Sequence, residues 1–415
     1  MSQIETDLYQ KRMAWFHEAR FGMFIHYGLF SILAHGEWAM FLDRIPKDEY
    51  LQLADQFMPA ADAADHWVHM AKKAGMKYMV LTARHHDGFC LYDSAFSDYS
   101  TARSACKRDL VAEYVIACRK AGLKVGIYYS LMDWRFPGYF NYKTDLDSAQ
   151  EMKRQCYQQV RELMTNYGKI DLLWYDGYWL NHEHNSGDGF WEGEKLNAMV
   201  RELQPEIIIN NRAGTKEDID TPEQVVRHSE RGRAWESCMT IGNTWGYSRY
   251  SNLYKSSAQL LHHLVNAASG EGNFLLNVGP QPDGHICPTE QDRLNDIGRW
   301  LGVNGSAVYN SRHADLMGSP LGMWTQDQDY TYFNITLWCG EALSLPLIDG
   351  KIEDVVLLST GQSVQATYAS NGRIIFSGLP EAPPDPFINT LRIKFTQKPK
   401  TKVVSDPAAW LFGKA

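Results

Sequence analysis

The chain has 415 residues, of which 44% are hydrophobic and 22% are charged. These values are typical of a globular protein with a packed core, and the length suits a large domain followed by a smaller one. The net charge of -8, with no run of Lys and Arg, excludes a surface built to follow nucleic-acid phosphates. An aromatic content of 13% suits the recognition of sugar rings.

The start of the chain has no uninterrupted apolar segment of the export-signal type, and no stretch reaches the roughly 18 apolar residues that a membrane span needs. We therefore expect a cytoplasmic protein without a membrane partner, or a secreted or periplasmic one if a signal was removed. The seven cysteines are odd in number and form no CxxC pair, which is not the pattern of a disulfide framework.

Short apolar runs alternate with amphipathic stretches of helical length between residues 20 and 310. The strand-type runs are 21–28, 78–83, 124–130, 171–177, 206–211, 235–241 and 273–280, and the helical stretches are 63–75, 108–122, 148–167, 194–204, 256–270 and 292–305. This alternation predicts parallel βαβ units, and their number favours a (β/α) barrel. An open, doubly wound sheet is the alternative.

The pattern changes after about residue 312. Short alternating runs at 331–338, 354–359, 365–370, 373–378 and 390–396 are separated by turn residues, with no helical period between them. The sequence therefore predicts a catalytic barrel over 1–312 and a small antiparallel β-sandwich over 313–415, the latter serving as structural support.

Polar and aromatic residues follow the predicted strands. They are His26 with Glu37 and Trp38 in the next loop, Arg84 to Asp87, Tyr128 and Tyr129, Trp174 to Asp176, and Asn210 to Arg212. The catalytic groups of a barrel lie at the carboxyl ends of its strands. Polar residues at so many equivalent ends predict an active site at the barrel mouth.

Two histidine pairs raise the question of a metal. His85 and His86 are adjacent, and neighbours in an extended segment point to opposite sides, so we do not expect them to share an ion. His182 and His184 could face one side, but no acidic or cysteine cluster accompanies them. Serine-hydrolase, Walker and dinucleotide motifs are also absent. Carboxylate chemistry of the glycosidase type remains, and it needs no metal or cofactor.

Several segments, taken together and in order, carry a family resemblance. They are FGMFIHYG with Glu37-Trp38, KYMVLTARHHDGFCLYDS, KRDLVAEYVIACRKAGLKVGIYYS, DLLWYDG, NNR, and TWGY leading into GNFLLNVGPQPDG. The chain resembles the alpha-L-fucosidase family, glycoside hydrolase family 29, over about residues 10–310. The resemblance implies a retaining, exo-acting α-L-fucosidase with a catalytic barrel and a C-terminal β-sandwich, acting on fucosylated oligosaccharides or glycoconjugates.

The resemblance also implies the roles of individual residues. It makes Asp176 the nucleophile and assigns the fucose pocket to His26, Glu37, Trp38, His85, His86, Tyr128, Trp174, Arg212 and Trp245. Arg84 stands where members often carry Lys, and it should point away if His85 faces inward. For the general acid/base we favour Glu223, in a loop expected to hang over the strand mouth. The alternative is Glu236, which enters a strand and should be a buried structural carboxylate.

The linkage preference and two competing functions stay open. The DTPEQ and WESCMTIGNTWGY segments look more like the branch that cleaves α-1,3 and α-1,4 fucosyl linkages than the branch that cleaves aryl fucosides broadly. A related exo-glycosidase would accept a similar sugar, such as L-galactose with its C6 hydroxyl. A non-catalytic fucose-binding protein would keep the pocket but lose a carboxylate.

Overall fold

The computed structural model describes residues 3–183, 187, 189–346, 348–370 and 372–402. Internal contacts divide the chain into two compact units. The first unit comprises Met1–Ser256 and Gly272–Arg299, and the second comprises Ser257–Glu271 and Trp300–Ala415. Within the ranges described, no helix combines the length and the apolar character needed to cross a membrane.

The helices follow the predicted order, with additions. They are α1 (Gln3–Ala19), α2 (Phe30–Leu33), α3 (Ala39–Leu42), α4 (Lys47–Leu51), α5 (Ala63–Lys73), α6 (Leu110–Lys120), α7 (Pro137–Phe140), α8 (Leu146–Asn166), α9 (Gly193–Leu203), α10 (Ser257–Ser269) and α11 (Pro288–Asn304). All six predicted helical stretches are confirmed. Helix α6 begins where the Asp109 carboxylate caps the backbone N–H of Ala112 at 2.8 Å. Helix α1 and the four-to-five-residue helices were not predicted.

The first unit contains one parallel sheet of seven strands. They are β1 (Phe21–Ile25), β2 (Tyr78–Arg84), β3 (Lys124–Ser130), β4 (Leu172–Asp176), β5 (Ile208–Ile209), β6 (Glu236–Thr240) and β7 (Asn273–Val278). Their order in the sheet is β5-β4-β3-β2-β1-β7-β6, so β5 and β6 are its two edges. Each strand lies within a predicted run, except that β2 extends one residue beyond its run to Arg84. Nearly every residue of these strands is buried, as expected when a parallel sheet is covered on both faces.

An irregular segment, residues 218–224, joins the two edges of this sheet. On the β5 side, the Asp218 N–H donates to Ile209 O at 3.0 Å. On the β6 side, the Cys238 N–H donates to Pro222 O at 3.1 Å. Because Pro222 has no N–H to donate, the segment cannot form a regular ladder. Its bridges nevertheless close the sheet into a ring, which confirms the predicted barrel over the doubly wound alternative.

The interior of the barrel is filled by large side chains from successive strands. One cluster of buried residues joins Phe24, Val80, Tyr128, Trp174, Cys238 and Leu275 with Met13, Phe16 and Ala19 of α1. The aromatic rings of Phe16 and Tyr78 lie 6.2 Å apart. Since Tyr78 begins β2, this contact places α1 against the amino ends of the strands. The opposite end of the barrel stays open to a site.

The second unit is built mainly from short antiparallel strands. They are β8 (Gly322–Gln326), β9 (Thr331–Ile335), β10 (Ala342–Leu345), β11 (Ile348–Asp349), β12 (Ile352–Leu357), β13 (Gln362–Ser363), β14 (Gln365–Tyr368), β15 (Ile374–Ser377), β16 (Asn389–Phe395) and β17 (Lys400–Thr401). A five-stranded sheet of order β13-β12-β16-β9-β8 and a three-stranded sheet of order β10-β15-β14 enclose one apolar core. The predicted C-terminal β-sandwich is confirmed.

Candidate active site

A cavity opens at the carboxyl ends of the barrel strands, where the sequence placed its polar residues. It is lined by Phe24, His26, Trp38, His85, His86, Tyr128, Trp174, Asp176, Trp179, Arg212, Glu223 and Trp245. The structure thus brings together both candidate catalytic carboxylates and all the predicted pocket residues except Glu37. The alternative acid, Glu236, is not among the lining residues.

Aromatic rings form the floor of the cavity. Trp174 of β4 stacks on Tyr128 of β3 with ring centroids 5.9 Å apart and an interplanar angle of 20°. Phe24 of β1 packs against the same indole at 5.0 Å. All three side chains alternate inward along their strands, so the barrel itself fixes their positions. The result is an apolar base that suits the face of a pyranose ring.

Asp176 ends β4 and projects into the cavity above this floor. Its Oδ2 accepts a hydrogen bond from the Tyr128 hydroxyl at 3.0 Å, and its Oδ1 accepts one from Arg212 Nη1 at 3.2 Å. The Nε2 atom of His86 lies 3.8 Å from Oδ2. Only 13% of the Asp176 side chain is exposed. Donors that hold an ionised carboxylate in one orientation suit a nucleophile.

Arg212 connects the two candidate catalytic acids. Its Nη1 contacts Asp176, while its Nη2 donates to Glu223 Oε2 at 2.7 Å. The Thr221 hydroxyl accepts from Arg212 Nε at 3.0 Å, and the guanidinium lies over the Trp174 ring at 4.6 Å from its centroid. Because every nitrogen of this rigid fork has a partner, the side chain fixes both carboxylates relative to one another.

Glu223 belongs to the irregular segment 218–224. The sequence predicted a loop that hangs over the strand mouth, and the segment indeed forms no regular strand, although Glu223 makes a β-bridge to Cys238 of β6. The hydrogen bonds that the segment makes to both neighbouring strands were not predicted, because Asp220 and Pro222 give it the composition of a loop. The side chain still reaches the cavity, where 41% of it is exposed.

His26 offers a defined hydrogen-bonding face to the cavity. Its Nδ1 lies 2.6 Å from Asn277 Oδ1, and the Asn277 amide donates to Trp245 O at 2.7 Å. Burial lowers the pKa of His26 to about 4, so the ring is neutral near pH 7. A neutral ring that donates from Nδ1 keeps a lone pair on Nε2. His26 can therefore accept a hydrogen bond from a sugar hydroxyl.

His86 is oriented in the same way by a different partner. Its Nδ1 lies 2.7 Å from the Ser130 hydroxyl, which donates its own proton to Met132 O at 2.9 Å. Ser130 therefore accepts from His86 Nδ1, and Nε2 is left as an acceptor. Burial first, and then the neighbouring His26, Arg84 and His182, lower the pKa of His86 well below its ordinary value. Two neutral histidines with the same free nitrogen thus line the cavity.

The adjacent histidines correct one expectation. Both His85 and His86 line the cavity, with ring centroids 4.1 Å apart, whereas the sequence argument placed them on opposite sides. Neighbouring side chains point to opposite sides only on an extended backbone, but β2 ends at Arg84 and the chain turns, with the Gly88 N–H donating to His85 O at 3.0 Å. Arg84 does point away, and its Nη2 binds the Asp133 carboxylate at 2.6 Å.

Glu37 holds the rim of the cavity. Its Oε2 accepts the backbone N–H groups of Trp245 at 3.0 Å and Gly246 at 2.8 Å, and burial raises its pKa. Residue 246 must be glycine, because a Cβ there would lie 2.7 Å from the Phe30 ring and 2.9 Å from Glu37 N. Glu37 therefore fastens the loop that carries Trp245, and a contact with the sugar stays a prediction.

Glu236 lies inside the barrel at the first position of β6, and none of its side chain is exposed. Its Oε1 accepts the Trp174 indole N–H at 3.1 Å, and its Oε2 accepts the Tyr78 hydroxyl. We expected an Arg or a backbone group as its partner, and the structure provides two neutral donors. Burial raises the pKa of Glu236 to about 7.

The sequence missed four residues of the site. Phe24 and Trp179 line the cavity, and Asn277 and Ser130 set the hydrogen bonding of the two histidines. Phe24 carried a usable signal, since it precedes His26 by two positions and so faces the same side of β1. Trp179 follows Asp176 in a loop, where no period predicts direction.

No group of three or more His, Cys, Asp or Glu side chains with the geometry of a metal site occurs in the part of the chain that the structure describes. Of the histidine pair considered above, His184 lies outside the described residues. His182 packs against the Phe41 ring with centroids 4.3 Å apart. Its surroundings are aromatic, which is not the donor set that zinc prefers.

Comparisons with known proteins identify the family of this chain. The family model described as Alpha-L-fucosidase matches residues 2–306. The tissue alpha-L-fucosidase of Homo sapiens is 30% identical over 412 residues, which cover 89% of this chain and 86% of the human protein. That of Bos taurus is 29% identical over 409 residues, covering 89% and 85%.

Solved structures give the same picture. The alpha-L-fucosidase isoenzyme 1 from Paenibacillus thiaminolyticus superposes with a TM-score of 0.87 at 34% identity, covering 94% of this chain and all of that one. An alpha-L-fucosidase of Bacteroides thetaiotaomicron, solved as a trapped covalent intermediate, gives a TM-score of 0.83 at 28% identity, covering 96% and 97%. With its barrel and paired carboxylates, this chain belongs to the alpha-L-fucosidase family, glycoside hydrolase family 29, and is a retaining glycoside hydrolase.

Proposed function

We propose that this α-L-fucosidase releases terminal fucose from glycans with Asp176 as its nucleophile and Glu223 as its general acid/base. The observation that carries the proposal is the bridge made by Arg212, whose Nη1 and Nη2 contact Asp176 and Glu223 at 3.2 and 2.7 Å. Retaining glycosidases need two carboxyl groups that act on one glycosidic bond. A single rigid guanidinium supports that pairing here.

The two acids differ in exposure and in how firmly they are held, and these differences suit their proposed roles. Asp176 is largely enclosed and held by the Tyr128 hydroxyl, so its oxygen is aligned for attack on the anomeric carbon. The Glu223 side chain is more exposed and lies at the edge of the cavity, where a leaving group must depart. A nucleophile benefits from a fixed orientation, whereas a proton donor must also exchange protons with water.

The reaction then proceeds in two displacements. Asp176 attacks C1 of the fucoside while the bond from C1 to the leaving oxygen breaks, and Glu223 transfers its proton to that oxygen. A fucosyl ester on Asp176 results. Glu223, now ionised, takes a proton from water as the water oxygen attacks C1. The ester bond breaks, fucose leaves with its anomeric configuration retained, and both acids return to their starting states.

Recognition of the sugar rests on the neutral histidines and the aromatic floor. His26 and His86 each direct a free Nε2 lone pair toward the cavity, where it can accept from a ring hydroxyl. Trp174 supports one face of the ring, and an apolar wall suits the C6 methyl group of fucose better than the C6 hydroxyl of L-galactose. These features favour fucose over the related sugar.

For the natural substrate we propose a fucosyl residue in α-1,3 or α-1,4 linkage on an oligosaccharide or glycoconjugate. The support is the likeness of the DTPEQ and WESCMTIGNTWGY segments to that branch of the family. A release assay over oligosaccharides with α-1,2, α-1,3, α-1,4 and α-1,6 fucose tests it. Release from the α-1,2 or α-1,6 members alone would contradict it.

The assignment of the nucleophile is tested by Asp176→Gly. We expect turnover of an aryl α-L-fucoside to be nearly abolished with the fold retained. The matched control is Asp171→Asn, because Asp171 immediately precedes β4, at the end opposite Asp176, and accepts the Val125 N–H at 3.0 Å. This control should lower stability and leave kcat almost unchanged. Proton NMR of the wild-type reaction should show α-fucose first, and β-fucose first would refute the mechanism.

A further inference from the structure

Glu236 lies beneath the floor of the cavity, and the two-acid mechanism gives it no role. A carboxylate with no exposed surface is costly to bury, and an apolar side chain of similar volume would avoid that cost. Both of its oxygens are occupied by donors from other strands, Trp174 on β4 and Tyr78 on β2. With no exposed surface it cannot reach a glycosidic oxygen in the cavity.

The partner that matters is Trp174, because its indole is the floor of the cavity. The indole N–H points down into the barrel to Glu236 Oε1 at 3.1 Å, and the ring face points up to Arg212 at 4.6 Å. An indole has a single N–H donor, so one acceptor sets the direction of that edge of the ring. Without it, no hydrogen bond orients the indole, which keeps only its packing contacts and the guanidinium above its face.

From this arrangement we infer that Glu236 is a positioning residue for catalysis. By accepting the indole N–H it fixes the plane of Trp174, and that plane supports both the sugar and the Arg212 guanidinium. Since Arg212 contacts Asp176 and Glu223, a tilt of the indole misaligns both acids. The inference rests on the proposed roles of Trp174, Asp176 and Glu223.

The test compares substitutions that keep or remove an acceptor for the indole. Glu236→Gln retains a carbonyl oxygen at this position and should keep kcat/KM for an aryl α-L-fucoside within about threefold of wild type. Glu236→Leu has no acceptor and should lower kcat/KM by at least about tenfold and weaken inhibition by L-fucose. Should Glu236→Leu fail to fold, Glu236→Asp, which is one methylene shorter, is used with the same expected loss.

Two controls separate positioning from general stability. Tyr78→Phe removes the other hydrogen bond of Glu236 and leaves the one to Trp174, so it should lower the melting temperature without the tenfold kinetic loss. In a Trp174→Phe background the acceptor has no indole to hold, so Glu236→Leu should have almost no further kinetic effect.

An equal loss of kcat/KM in Glu236→Leu and Tyr78→Phe would overturn the inference. So would a double variant, Glu236→Leu with Trp174→Phe, whose loss of kcat/KM equals the product of the two single losses. Wild-type kinetics in the soluble acceptor-free variant would overturn it as well. These outcomes differ from failure of the proposed mechanism, which would appear as retained turnover in Asp176→Gly.

Discussion

Glu223→Ala provides the sharpest test of the acid/base assignment. Glu223 has 41% of its side chain exposed and Glu236 has none, so only Glu223 can meet both a departing oxygen and solvent. Removing a general acid typically costs about 10²- to 10⁴-fold in rate, or roughly 3–5 kcal/mol of transition-state stabilisation. We expect a loss in this range on fucosylated oligosaccharides, whose leaving groups require protonation.

The loss should depend on the leaving group. The leaving group of 2,4-dinitrophenyl α-L-fucoside, 2,4-dinitrophenolate, departs without a proton. Glu223→Ala should therefore form the fucosyl ester on Asp176 quickly and hydrolyse it slowly. The space left by the truncated side chain opens to solvent, which admits azide. Azide should then attack C1 of this β-linked ester with inversion, accelerate the second step and give α-L-fucosyl azide, detectable by NMR.

Two comparisons complete the assay. Glu223→Gln keeps an oxygen that can accept the hydrogen bond from Arg212. The loss of rate that this variant shows on oligosaccharides therefore measures the effect of the missing proton alone. Glu236→Ala should give no azide product, because its carboxylate lies beneath the floor of the cavity. Finding the azide product with Glu236→Ala and not with Glu223→Ala would refute the reasoning and reverse the two roles.

Ser130→Ala removes the acceptor that sets the hydrogen bonding of His86 and should lower kcat/KM by about tenfold. Ser104→Ala, which also loses a buried bond to a carbonyl, should leave the kinetics unchanged. Burial raises the pKa of Glu290 from 4.5 to about 8. The folded state therefore holds a proton that the unfolded chain releases, and stability falls as pH rises between these values. Glu290→Gln should flatten the decline in melting temperature between about pH 5 and 8, and equal slopes in the two proteins would exclude Glu290 as its cause.

The period of the apolar runs was sufficient to predict the barrel and most of the site. Strands with buried side chains on both faces are read from the sequence as continuous apolar runs, and the residue after each run lies at the mouth of the barrel. Asp176, the last residue of β4, is the clearest example. Helix α1 was missed because its mean hydropathy is low and its amphipathic pattern is weak, although Met13 and Phe16 pack in the core.

Other features depended on contacts between distant segments. The hydrogen bonds of residues 218–224 join β5 and β6, and no local pattern around Pro222 indicates an extended backbone. The pairing of His26 with Asn277 spans most of the barrel domain in sequence. Such partners become visible only once the ring of strands is closed, which is why the supporting residues were harder to predict than the pocket itself.

Segment 218–224, which closes the barrel, allows the choice of sugar and the position of Glu223 to be altered independently, by evolution or by engineering. Part of the fucose pocket stands on regular strands, with Phe24 on β1, Tyr128 on β3 and Trp174 on β4, where a one-residue shift in register would turn every side chain to the other face. Glu223 instead stands on segment 218–224, which contains a proline and is held by isolated bridges, so its backbone follows no regular register. Variants of this segment can therefore move the proposed proton donor toward a new aglycone while the enzyme keeps its choice of sugar.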